Sequence, residues 1–152
     1  MYTIIGAGIG GLTTALIFEK LNIDYQLFEK AKKPNALGAG IWLAPNALQV
    51  LEFAGVIDTV FRAGNSIDRI TLSNQKLKPL ADSSQLPAKE KYGFYTLAIH
   101  RAKLQLALIE SIPKEKIYWN KAFKSLEQAN NSVTVIFQDG STTKSQYLIG
   151  AD

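Results

Sequence analysis

An α/β fold built around a parallel sheet is what this chain predicts, and three observations predict it. Residues 2–29 read as strand, glycine turn, helix, strand and acid, in that order. A second strand-then-helix pattern follows at 40–55, and a third at 95–112. From residue 117 onward the helical periodicity stops and only strands with turn signals between them remain. Alternating strands and helices make a parallel sheet, and the all-strand stretch departs from that alternation, as a crossover without a helix or as a separate small sheet packed on the domain.

The composition leaves few other classes open. The chain has 152 residues, 47% hydrophobic and 20% charged, which is enough to bury a core and too apolar for a disordered segment. Its net charge of +4 comes from scattered lysines, with arginine only at positions 62, 69 and 101. No basic stripe with interleaved aromatics appears, so nucleic acid is not an expected partner. The absence of cysteine removes disulfides, thiolate nucleophiles and thiolate-bound metals, and one histidine makes no metal-ligand cluster. No apolar run approaches the roughly 20 residues of a membrane span. The opening "IIGAGIGGLTTALIF" is apolar, but no basic residue precedes it and four glycines interrupt it, against a secretion signal. A cytoplasmic protein is expected; the oligomeric state is left open.

The first strand, "YTIIG", runs into a G-x-G-x-x-G turn: Gly6, Gly8 and Gly11, with Ala7, Ile9 and Gly10 between them. Gly6 permits the tight exit, Gly8 lets backbone approach a pyrophosphate, and Gly11 lets helix and strand pack closely. Leu12, Ala15, Leu16 and Leu21 recur at helical spacing, and Asn22 suits a left-handed cap. The N–H groups at that helix's start favour an anion. "DYQLFE" is the second strand and ends on Glu29, eighteen residues after Gly11, near where an acid holds an adenosine ribose. A lone glycine motif is weak; in this order the set predicts a Rossmann-like dinucleotide site. The fingerprint alone does not separate NAD from FAD.

Beyond Glu29 comes a lysine-rich loop, then Gly38 and Gly40 around an alanine, a strand "IWL", and Pro45 opening a helix. Ala47, Val50, Leu51 and Ala54 are its expected buried face, and Gly55 stops it. "SIDRITLS" and "YTLAI" alternate like strands, joined by a polar, proline-containing loop. His100 and Arg101 open a helix with Leu104, Leu108 and Ile112 on one face, and Pro113 follows. His100 reads as a capping or packing residue. The strands "IYWN", "AFKSLEQ", "SVTVIFQ" and "KSQYLIG" come last, with Asn130-Asn131 and Asp139-Gly140 as turns.

Five segments in order, "GAGIGGLTTA", "LFEK", "GAGIWLAPNALQVLEFAG", "IHRAKLQLAL" and "LIGAD", resemble the FAD-binding part of the flavoprotein aromatic hydroxylases, single-component monooxygenases of the para-hydroxybenzoate hydroxylase type. The resemblance covers nearly the whole chain. It implies an α/β, Rossmann-like FAD-binding domain with a parallel sheet and an antiparallel β-meander crossover, plus strands of a partial substrate-domain sheet. Residues 1–65 would be the first part of the FAD domain, 66–99 the strands given to the substrate sheet, and 100–152 the second part. The implied activity is an FAD-dependent monooxygenase in which NAD(P)H and O2 hydroxylate an aromatic or similar small organic substrate. Cofactor contacts fall to Gly6, Ala7, Gly8, Ile9, Gly10, Gly11, Glu29, Lys30, Gly40, Arg101 and Asp152, with Arg101 near the phosphate–ribityl stretch. No residue here is assigned a catalytic role.

Two other readings stay open: an FAD-dependent reductase or halogenase with the same FAD fold, and a non-catalytic NAD-type module. Because "LIGAD" stops just after an apolar strand, the chain is expected to be the N-terminal piece of a longer enzyme and to hold FAD weakly alone.

Overall fold

The computed structural model describes residues 1–34 and 38–151, so Asp152 lies outside the described residues. The chain forms two compact units, residues 1–37 with 105–152, and residues 38–104. In the first, β1 (Tyr2–Ile5) leads through α1 (Ile9–Lys20) to β2 (Tyr25–Phe28), which pairs parallel to β1. Alternation sorts the two faces of these strands. Tyr2 and Tyr25 face α1, where Phe18 lies 4.8 and 6.0 Å from their ring centroids. α1 buries Gly11, Leu12, Ala15 and Leu16, and beyond it Asn22 takes φ +53°, the left-handed conformation expected of it.

The second unit opens with β3 (Gly40–Leu43) and α2 (Pro45–Phe53), with Pro45 at the first helical position and Gly55 at φ +80° past its end. Its buried face matches the expected one at Leu51 and Ala54 but takes Leu48 in place of Val50, which is 43% exposed, because Pro45, Leu48 and Leu51 line one stripe at helical spacing. A short α3 (Ile57–Ala63) follows, then β4 (Gly64–Ile67), β5 (Arg69–Ser73), β6 (Pro79–Ser84), α4 (Leu86–Tyr92) and β7 (Thr96–His100). β7 lies between β3 and β4 in an antiparallel sheet, while β5 and β6 form a separate two-stranded ladder. The polar stretch read as one loop thus contains β6 and α4. Its residues are almost all exposed, which leaves no hydrophobic periodicity to read.

α5 (Arg101–Glu110) buries Leu104 and Leu108, and Ile112 just beyond it, as its spacing predicts. A 3-10 turn (Lys114–Lys116) then leads to β8 (Ile117–Tyr118). β9 (Phe123–Ala129), β10 (Ser132–Phe137) and β11 (Thr142–Ser145) form the antiparallel meander, and β12 (Tyr147–Gly150) returns to pair parallel with β1. The parallel sheet runs β12-β1-β2-β8, so the step from β8 to β12 crosses through strands alone. β10 alternates in burial, with Val133, Val135 and Phe137 inward. Val135 and Phe137 pack with Phe28, Ile5 and Leu148 on the face of the sheet away from α1, and Thr143 Oγ1 donates to Gln26 Oε1 there.

One turn of the meander gives a pH test. Lys121 Nζ donates to Asp139 Oδ2 at 2.6 Å, and the Ser141 hydroxyl and N–H both donate to Asp139 Oδ1. The Lys121 bond first, then those from Ser141, hold the Asp139 carboxyl well below the usual carboxylate range. A lowered pKa stabilises the folded state above the unfolded value, about 3.9, and that contribution fades as pH falls below it. Asp139→Asn should therefore lower Tm modestly at pH 7. The gap from wild type should narrow steadily as pH falls below about 4 in thermal melts. A gap that stays constant over this fall contradicts the assignment.

Candidate functional site

β1 hands the chain to Gly6, which leaves the sheet at φ +105° while its N–H donates to Phe28 O at 2.8 Å. Few residues with a Cβ adopt that backbone angle. Gly8 is the N-cap of α1; no side chain caps the helix and its first turn holds no acid. The first bond into the helix is Leu12 N–H to Gly8 O, 3.0 Å. The N–H groups of Ile9, Gly10 and Gly11 precede it and have no intrahelical carbonyl to reach. With the helix dipole, they make this end of α1 attractive to an anion.

The glycines of the turn differ sharply in their surroundings. A Cβ on Gly11 would stand 1.9 Å from Gly6 O and 3.3 Å from Ala151 Cβ. A Cβ on Gly8 would meet only Ala151 O at 3.7 Å, an ordinary contact, and one on Gly10 would meet nothing within 4 Å. Gly11 is therefore glycine because protein packs against it. Gly8 leaves its space to whatever approaches from outside.

Glu29 stands directly after β2 and is fixed at both ends. Its N–H donates to Tyr118 O at 2.9 Å and its carbonyl accepts from Lys121 N–H at 2.8 Å. The carboxylate turns back onto the glycine turn: Oε2 accepts from Ala7 N–H at 2.7 Å and Oε1 from Ala31 N–H at 2.8 Å. Each carboxylate oxygen keeps a further lone pair, which suits a neighbouring diol. Beside it opens a groove of about 250 Å³, lined in part by Gly6, Glu29, Lys30, Lys121, Phe123 and Gln138.

The first unit thus brings together Gly6, Ala7, Gly8, Ile9, Gly10, Gly11, Glu29 and Lys30. Gly40 and Arg101 meet in the second. There Gly40 is paired with His100 across the β3–β7 ladder, and Arg101 N–H donates to Ala39 O at 3.1 Å. The Arg101 side chain is exposed. His100 accepts the Ala102 N–H through Nδ1 at 3.3 Å, the capping role its position suggested. Sequence reasoning missed Gln105, whose Nε2 donates to Ala7 O at 2.8 Å. Its only signal was a polar residue beside the buried stripe of α5. Also missed were Phe123 and Gln138, which reach the groove only because the meander folds back on β2. Among the described residues no group of acids and histidine could hold a metal, and no helix is long and apolar enough to cross a membrane.

A family model described as FAD binding domain matches residues 2–152. The 3-amino-4-hydroxybenzoate 2-monooxygenase of Streptomyces cremeus is 30% identical over 98% of this chain and 38% of its own length. The 6-hydroxynicotinate 3-monooxygenase of Bordetella bronchiseptica is also 30% identical, over 98% of this chain and 39% of its own. The solved structure of Klebsiella pneumoniae HpxO complexed with FAD and uric acid superimposes with a TM-score of 0.89 at 28% identity, covering 100% of this chain and 39% of that one. The chain spans about two fifths of the length of these relatives.

Proposed function

The chain belongs to this FAD-binding domain family, and from that premise we propose that it forms the FAD-holding part of a monooxygenase that acts on aromatic or heteroaromatic rings. In the overall reaction NAD(P)H, a proton, O2 and the ring substrate give NAD(P)+, water and the hydroxylated ring. FAD, when bound, supplies the redox chemistry; the protein binds, orients and tunes it. The ring substrate is of the kind named in the relatives, a hydroxylated benzoate, a hydroxynicotinate or urate.

The division of labour follows from the turn. Gly6 sets the exit angle, and Gly11 seats α1 against the strand. Gly8 leaves room for the diphosphate against the N–H groups of Ile9, Gly10 and Gly11, with Ala7 behind them. Glu29 accepts from the ribose hydroxyls, and the groove beside it with Lys30 takes the adenosine. Arg101, whose planar, permanently charged donor fork suits a phosphate, is a further assigned contact to the phosphate–ribityl stretch, as are Gly40 and Asp152 to the cofactor. The observation that most supports this reading is the pairing of an open Gly8 with a Glu29 carboxylate turned onto the same turn.

Residues 66–99 serve the substrate side in this reading. Leu72 and Leu80 are 62% and 70% exposed on β5 and β6. A lone two-stranded ladder is marginal in water, so it suits a larger sheet laid over the substrate. A cytoplasmic setting supplies the NAD(P)H. Absorbance of the whole enzyme that carries this domain tests the reading. Flavin bands, with NAD(P)H-dependent O2 uptake stimulated by a ring substrate, are expected of it. Tight NAD binding without flavin would overturn it in favour of a plain NAD module.

A further inference from the structure

The Ala7 peptide groups are held in an unusual way for a turn. Ala7 is fully buried, and both of its backbone polar groups are taken by side chains from distant elements. Glu29 Oε2 accepts its N–H at 2.7 Å from the end of β2, and Gln105 Nε2 donates to its carbonyl at 2.8 Å from α5. Ala7 O is therefore drawn toward α5. The chain has no cis peptide among its described residues, and in a trans peptide the C=O and the next N–H point opposite ways. Fixing Ala7 O on Gln105 thus turns the Gly8 N–H away from α5.

We infer that Gln105 is a positioning residue for the diphosphate: it sets the plane of the Ala7–Gly8 peptide, so that an N–H faces the anion and the carbonyl does not. This rests on the FAD reading above. The reasoning is electrostatic. A free Ala7 carbonyl could rotate its negative end toward the phosphate and lose one donor at the same time. A side-chain amide is suited to prevent this, since its NH2 donates to the carbonyl without bringing a charge. Gln105 touches neither the phosphate nor the reacting atoms in this scheme.

The test measures three ligands on the FAD-stripped protein: FAD, ADP and adenosine, the last lacking any phosphate. Gln105→Leu removes the donor, and Gln105→Glu keeps the shape but presents an acceptor to Ala7 O. Both should weaken ADP and FAD about tenfold or more, the glutamate further, while adenosine binding is unchanged. A merely structural role would lower Tm without changing the ratio of ADP to adenosine affinity, and an unchanged ratio in both variants overturns the inference. Wild-type protein that binds neither FAD nor ADP overturns the FAD reading itself, and this inference with it, before any variant is compared.

Discussion

Gly11→Ala is expected to destabilise the first unit by about 3 kcal/mol or more and to abolish FAD retention. The added Cβ would stand 1.9 Å from a backbone oxygen, Gly6 O, so no side-chain rotation relieves the clash. Either α1 lifts from β1 or the Gly6 turn opens, and both displace the N–H groups at the helix start. The neighbouring glycines give contrasting outcomes. Gly10→Ala meets nothing within 4 Å in a helical first turn, so stability should hold or rise by up to about 1 kcal/mol. Gly8→Ala has an ordinary backbone conformation, φ −69° and ψ 178°, and only a 3.7 Å contact to accommodate. It should fold normally yet bind FAD more weakly, because its methyl enters the space assigned to the diphosphate. Thermal melts and FAD titrations on the three variants separate packing from ligand contact. Equal effects at all three positions would contradict the assignment.

Glu29→Ala is expected to weaken FAD binding on the order of 100-fold, as two charge-assisted hydrogen bonds to a ligand are lost. It also strips Ala7 and Ala31 N–H of their acceptor, so Tm should fall as well. Glu29→Gln keeps one carbonyl oxygen of the right shape and should lie between the two. The affinity loss should be shared by FAD and adenosine, since the carboxylate is assigned to the sugar and not to the phosphates. A loss confined to phosphate-bearing ligands would show that the carboxylate acts only by shaping the turn.

The first unit was legible in the sequence because each signal there has one physical cause. A left-handed φ at Gly6 and a close approach at Gly11 both require glycine, and Asn22 takes the left-handed conformation its side chain tolerates. The meander was legible because Val133, Val135 and Phe137 alternate and polar turns separate the strands. The strand read in residues 66–73 is present as β5, but β6 and α4, in the stretch read as one loop, were not legible. Both are mostly exposed, so burial leaves no period, and Leu77 sits in a turn at φ +59°, where leucine gives no turn signal. Gln105 was hidden for another reason. Its partner is a backbone carbonyl 98 residues away, and no local pattern encodes such a bond. The α2 face was read correctly at Leu51 and Ala54 and missed at Leu48, because Leu48 and Val50 are both apolar and composition does not say which one the fold buries.

The central claim is that backbone N–H groups at the start of α1, with Glu29, hold the ADP half of the cofactor. Amide chemical shifts of the 15N-labelled chain during an ADP titration test it most directly. The Gly8, Ile9, Gly10 and Gly11 amides should move together and saturate with one affinity, while those of the distant Asn130–Asn131 turn stay still. Saturable shifts that leave these four amides unmoved and cluster elsewhere would contradict the account.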